Sequence, residues 1–182
     1  MKNNFLSFIW EVSKIIVIAA VIVIPIRYFL FQPFFVRGQS MDPSFGDGDY
    51  LIIDEITYRF RAPERGEVIV FKYPEDPNNR FIKRVIALPG ETIEIKSGDV
   101  TVYNEVGTHL LNEDYLPSDL NTSGNLKVTL GEDEYFVMGD NRPYSYDSRR
   151  FGLLSREYII GRVIIRAWPL SSLTIFNNPA YE

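Results

Sequence analysis

Hydrophobic positions run along this chain in two regimes. From Ile15 to Ile26 they are nearly continuous, IIVIAAVIVIPI, extended backwards by Phe5, Leu6, Phe8, Ile9 and Trp10 and forwards by Tyr28 to Phe31. The run is apolar on all sides rather than along one stripe, which weakens a reading as a buried core helix. Its uninterrupted part is shorter than the roughly 20 residues a spanning helix needs, but Lys14 and Arg27 can snorkel and the flanks are aromatic. The pattern predicts one retained membrane-spanning helix. A cleaved leader would share the short apolar core after a basic start, yet no small-x-small site follows; the next residues are RYFLFQPFFV. Lys2 and Lys14 on one side face Arg27 and Arg37 on the other, so charge alone does not orient the helix.

After Pro33 the pattern changes to short runs rich in Val, Ile, Phe and Tyr, bounded by Gly, Pro, Asp and Asn. Strands are expected at Tyr50 to Asp54, Glu67 to Tyr73, Phe81 to Leu88, Thr92 to Ile95, Val100 to Tyr103, Glu134 to Met138 and Tyr158 to Trp168. Turn signals separate them at GDGD (46–49), YPEDPNN (73–79), LPGE (88–91), SGD (97–99) and MGDNRP (138–143). The polar, poorly periodic stretch from Asn104 to Lys127 reads as a loop excursion or small subdomain, within about 92–133. Closely spaced strands with no long helix beyond the apolar run predict a mainly β, antiparallel barrel or sandwich. The expected organisation is an N-terminus and anchor over 1–32 and one β-rich domain over 33–182.

Composition narrows the chemistry. A formal charge of -5 and a pI near 5.0 argue against a nucleic-acid partner, which would require clustered Lys and Arg. No cysteine is present, which removes disulfides, thiolate metal sites and cysteine nucleophiles. The single histidine, His109, leaves little room for a metal site or an imidazole base. No metal or cofactor is expected.

Three stretches carry candidate chemistry. In FIKRVIAL, period-2 alternation puts Phe81, Lys83, Val85 and Ala87 on one face and Ile82, Arg84, Ile86 and Leu88 on the other. Whichever face is buried takes a cation with it. Desolvation lowers a lysine pKa but leaves a guanidinium charged, so a buried Lys83 becomes a neutral amine and a general base. Lys83 and Arg84 equally fit a charged strand edge that discourages pairing. In VRGQSMDPSFGDGDY, Ser40 taken singly reads as a turn residue among Gly, Asp and Pro. A serine nucleophile nevertheless needs a base, and here a lysine with apolar neighbours is available. The third stretch, GDNRPYSYDSRRFG, packs Asp140, Arg142, Asp147, Arg149 and Arg150 with Asn141, Ser145 and Ser148. It fits either a solvated salt-bridge loop or a rigid loop pairing buried charges.

RGQSMDPSF, GDYLIIDEITYRFRAPERGEVIVFKYP, FIKRVIALPGE and GDNRPYSYDSRRFG, in that order behind an apolar segment, resemble the bacterial type I signal peptidases, in the single-anchor form of Gram-positive members. The resemblance implies a signal-peptidase-like β-fold, shared with self-cleaving repressors. It also implies a membrane-bound serine endopeptidase whose domain lies outside the cytoplasm of a single-pass cell-membrane protein. Its substrates would be secretory preproteins cut after small-x-small sites, with membrane lipid as the other partner. Ser40 would be the nucleophile, Lys83 its general base, and Ser145 the hydroxyl that bonds and orients the amine. Arg84, Asp140, Asp147 and Arg149 match charged residues that hold the loop. Met41 would pack beside the nucleophile near the substrate, with Leu51, Ile53 and Val70 as further pocket candidates. Gly38 stands where some members carry an oxyanion-binding serine, which leaves the Ser40 N–H as the surer donor; Gln39 replaces a frequent glycine.

Two other readings fit parts of the chain. A self-cleaving repressor domain uses a similar Ser-Lys pair, but carries a DNA-reading domain where this chain has an aliphatic segment. A tethered binding module would leave Ser40 and Lys83 as turn and edge residues.

Overall fold

The computed structural model describes residues 2–29, 31–118 and 120–176, with the backbone alone for 2–6, 24–29 and 31. In chain order the elements are α1 (Lys2–Phe29), β1 (Phe31–Phe35), β2 (Tyr50–Asp54), β3 (Val68–Tyr73), β4 (Asp76–Ala87), β5 (Thr92–Lys96), β6 (Asp99–Asn104), β7 (Gly107–Leu110), β8 (Leu126–Thr129), β9 (Glu134–Met138), α2 (Ser148–Phe151), β10 (Leu154–Ser155), β11 (Ile159–Trp168) and β12 (Thr174–Ile175).

α1 covers the apolar run from Ile15 to Ile26, but the expected anchor over 1–32 ends in strand, since β1 already begins at Phe31; the side chains of α1 are described from Ser7 to Val23. Those that are apolar stand exposed on several sides, among them Trp10, Ile15, Val17, Val21 and Ile22. Among the described residues, no helix is long and apolar enough to cross a membrane.

The strands form two antiparallel sheets. The larger runs β1-β2-β11-β3-β4-β9-β10, with β12 added beside β11; the smaller runs β7-β6-β5-β8. The expected barrel is not closed: β1 and β10 end the sheet path and do not pair. The reason lies in how far β9 reaches. It joins β4 only from Arg84 to Ala87, whereas β3 pairs β4 from Asp76 to Arg84. The stretch before Arg84 therefore has a neighbour on one side only, and across the gap lies β1, which pairs β2 alone.

Three apolar clusters hold the sheets. One, with Ile86, Phe136 and Met138 against Ile93, Ile95, Val100 and Val102, fastens the small sheet to the large one. A second gathers Val36, Met41, Phe45, Leu51, Ile53, Val70, Ile82 and Val163. A third, around Ile69, Phe71, Tyr135 and Val137, lies between β3, β9 and β11. Each fully buried aliphatic side chain contributes about 1.5–3 kcal/mol, so the second cluster anchors the segment that carries Ser40.

β2 and β9 have the expected bounds, and β3, β5, β6 and β11 differ by a residue or two at an end. β4 begins five residues earlier than expected, inside the YPEDPNN turn signal. That turn closes tightly, with Tyr73 opposite Asp76, so most of the polar stretch is strand. Its exposed side chains alternate with nothing apolar, which removes the period-2 signal. The excursion holds β7 and β8, whose exposed faces carry little pattern either.

Candidate active site

Ser40 lies in the segment joining β1 to β2, and that segment is fixed from both ends. Val36 donates to the Asp49 carbonyl at 2.9 Å and Gly48 to that of Val36 at 3.0 Å, closing the loop at its neck. Met41 and Phe45, 1% and 0% exposed, plug it into the core below. Gly38 has a φ of 84°, and its N–H donates to Asp47 Oδ1 at 2.7 Å. That left-handed backbone favours glycine, which accounts for the missing serine at this position.

Lys83 projects from β4, on the face of Phe81 and Val85, and is 3% exposed. Its Nζ lies 2.7 Å from Ser40 Oγ and 2.7 Å from the Ile82 carbonyl. Burial pulls its pKa from 10.5 down to about 8, against the opposing pull of the Asp147 and Asp140 charges. Roughly a tenth of the amine is then neutral at pH 7.

The loop after β9 closes over this pair. Gly139 sits where a Cβ would come within 2.2 Å of the Ser40 carbonyl oxygen, so only glycine permits the approach. Asn141 donates from its backbone to the Ser40 carbonyl at 3.1 Å and from Nδ2 to the Gln39 carbonyl at 2.9 Å. Asp140, fully buried, takes a bidentate pair from Arg84 at 2.9 and 2.6 Å, and Arg84 also donates to the Gly66 carbonyl. Asp147, also fully buried, caps α2 and accepts from Gly139 N–H at 3.1 Å and from Arg149 at 2.9 and 2.8 Å. Burial alone would raise the Asp147 carboxyl, but the Arg149 bond and charge hold it below the usual carboxylate range. Both aspartates are thus paired with arginines and order the loop rather than reacting.

Ser145 is 2% exposed beside Gly139. Its hydroxyl lies close enough to Asp147 to help hold that carboxyl down, yet it makes no hydrogen bond of normal geometry among the described residues. The expected bond from Ser145 to the Lys83 amine is not formed.

The pair opens into a cleft of about 570 Å³, walled by Pro33, Phe34 and Phe35 on one side and by Asn78 to Lys83 on the other, with Tyr144 and Tyr146 above. None of the four expected pocket residues lines it. Met41, Leu51, Ile53 and Val70 are at most 2% exposed and belong to the core cluster. Alternation along β2 turns Leu51 and Ile53 to the core side, where Met41 and Val70 pack with them. Ile53 and Val70 border only a narrow hollow beside it.

Sequence reading named Arg142 among the loop's charges but missed the partners that hold it. Arg142, 1% exposed, donates to the Gly139 carbonyl at 3.2 Å, to Thr122 Oγ1 at 2.5 Å and to Tyr115 Oη at 3.0 Å, and makes a bidentate pair with Glu113. Burial works against its charge, but the Glu113 carboxylate pushes the pKa up. The excursion thus holds the loop that holds the serine. The density of charge in GDNRPYSYDSRR pointed to Arg142; nothing in the sequence singled out Glu113.

Comparison with known proteins places the chain in a family. A family model described as "Signal peptidase, peptidase S26" matches residues 9–168. A probable signal peptidase I-2 of Synechocystis sp. is 37% identical, over 93% of this chain and 78% of its own length. Signal peptidase I of Leptolyngbya laminosa is 38% identical over 95% and 86%, and signal peptidase IB of Staphylococcus aureus 32% over 98% and 97%. A crystal structure of a signal peptidase I from Enterococcus faecalis, 31% identical, covers 56% of this chain and 97% of its own, with a TM-score of 0.48. The chain belongs to the signal peptidase family, peptidase S26, as an enzyme of the signal peptidase I type.

Proposed function

We propose that this enzyme removes signal peptides from secretory preproteins through a Ser40–Lys83 dyad and an acyl-enzyme. The observation that carries the reading is a lysine amine 3% exposed and 2.7 Å from a serine hydroxyl in an open cleft. Neutral Lys83 takes the Ser40 proton as Oγ attacks the scissile carbonyl. The Ser40 N–H, which has no acceptor among the described residues, is available to the developing oxyanion, and one such donor contributes about 3 kcal/mol. The protonated lysine gives its proton to the leaving amine, and the neutral amine then activates water to release the acyl group.

The substrate lies extended in the cleft. The stretch of β4 before Arg84 and the outer edge of β1 offer main-chain groups to such a chain. Small side chains are expected at the first and third positions before the cut, as membership of the family implies. α1 anchors the enzyme in the cell membrane in a single pass, with the β-domain outside the cytoplasm. The exposed apolar side chains of Ile15 to Ile18 and Val21 to Val23 support this, and the segment from Val36 to Ser40 keeps the nucleophile within roughly 14 Å of the end of β1. Arg84, Asp140, Asp147 and Arg149 order the loop, and Ser145 orients the amine once substrate tightens the site.

The test is cleavage of a secretory precursor by purified protein in detergent. Wild type cuts it, and Ser40→Ala and Lys83→Ala do not. Undiminished cleavage by either variant ends the dyad proposal.

A further inference from the structure

The Ser40 N–H offered to the oxyanion is one half of a peptide group whose other half is the Gln39 carbonyl. The two point in opposite directions from a single trans plane, so whatever fixes the carbonyl also aims the N–H. Packing does not fix this plane. Arg37, Gly38 and Gln39 are exposed, Gly38 has a φ of 84°, and the first core side chain after them is Met41. Hydrogen bonds do it instead. The Gln39 carbonyl accepts from the Asp42 N–H at 3.2 Å and from Asn141 Nδ2 at 2.9 Å. The Asp42 bond lies within the same turn and moves with it. Among the described residues, only Asn141 reaches this carbonyl from another part of the fold.

Asn141 is itself held. Its own carbonyl accepts from the Tyr144 N–H at 3.0 Å, and the adjoining Arg142 is 1% exposed and bonded to the Gly139 carbonyl. Its backbone N–H donates to the Ser40 carbonyl at 3.1 Å. One residue thus grips the peptide groups on both sides of Ser40, the following one with its main chain and the preceding one with its side chain.

We propose that Asn141 is a positioning residue that aims the Ser40 N–H at the developing oxyanion by holding the Gln39 carbonyl from behind. This rests on the dyad reading above. The amide acts through the peptide plane, not on the reacting atoms. A donor already turned to where charge develops needs no reorganisation during the attack. Without the amide the plane is free to rotate, and a donor misplaced by about 1 Å can cost about 10²-fold in rate.

The experiment follows cleavage of a secretory precursor by the full-length protein in detergent. Asn141→Leu is close to asparagine in size, keeps the backbone bond to Ser40 and removes only the side-chain donor. Its kcat is expected to fall between about tenfold and a hundredfold, with KM within about twofold of wild type. The ascending pH limb should not move, because Lys83 Nζ keeps its contacts with Ser40 and the Ile82 carbonyl. Asn141→Gln, which keeps an amide donor one methylene further out, should recover part of the lost rate. Asn141→Ala gives the same readings should the leucine variant fail to fold. A kcat equal to that of wild type, a loss carried by KM, a displaced pH limb, or a glutamine variant as slow as the leucine one overturns the inference and leaves the peptidase reading standing. Wild type that leaves the precursor uncut overturns both.

Discussion

Lys83 pays in stability for its reactivity, and the two effects are tied to one pKa. Because the amine is neutralised near pH 8, the rate of cleavage should climb with pH through that value and level off above it. A limb near the ~10.4 of free lysine would mean a solvated amine. The same displacement acts on folding. The folded pKa lies below the unfolded one, so between about pH 8 and pH 10.4 the unfolded chain holds a proton the folded chain does not. The cost to the fold is therefore complete below pH 8 and disappears above the unfolded value. A difference of 2 to 3 pK units amounts to roughly 3 kcal/mol. Lys83→Met should abolish cleavage and yet raise the melting temperature at pH 7, by an amount that shrinks as pH approaches 10.4. A variant that melts lower at pH 7 by as much as an ordinary core substitution would show that burial places no strain on the charge.

At the level of elements, the site is a junction between β4, the β1–β2 segment and the loop after β9, and the Arg84–Asp140 pair is its fastener. Both side chains are nearly inaccessible, at 7% and 0%, and one bidentate contact spans from strand to loop. Removing one partner of a buried pair strands the other charge, at about 3–5 kcal/mol. Asp140→Asn should lose roughly that in urea unfolding and most of its cleavage, whereas Arg84→Met combined with Asp140→Leu should cost less stability than the two single changes added. An additive double variant would mean that the groups do not act together. The sequence displayed the strands of this junction well, because β2, β4 and β9 carry buried β-branched and aromatic runs between glycine turns. It displayed Ser40 and Lys83 through what else was missing, one histidine and no cysteine. It did not display β7 and β8, which bury little, or Glu113, whose role arises from a contact 29 positions away in the chain. Nor did it show that Leu51, Ile53 and Val70 turn from the cleft, since period-2 alternation tells which residues share a face but not which face meets substrate.

For the whole molecule, the question is what α1 adds to a domain that by itself holds Ser40 and Lys83 together. β1 starts at Phe31 and pairs β2 in full register from Phe31 opposite Asp54 to Phe35 opposite Tyr50. Removal of residues 1–30 therefore leaves the ladder, the Ser40 segment and every core cluster intact, and the shortened protein should fold and cleave a soluble peptide at close to the full-length kcat. Its deficit should appear only when the precursor is inserted in a bilayer. An anchoring α1, as proposed above, would confine enzyme and substrate to one surface, and such confinement raises their effective concentration without any new contact. Proteoliposomes holding a precursor should thus be processed at least tenfold more slowly by the shortened protein. The loss should fall in KM and be recovered when detergent disperses the vesicles. Equal processing of the bilayer-held precursor by both forms would deny α1 its role as an anchor. A loss of kcat on the soluble peptide would instead mean that the helix supports the cleft wall through β1.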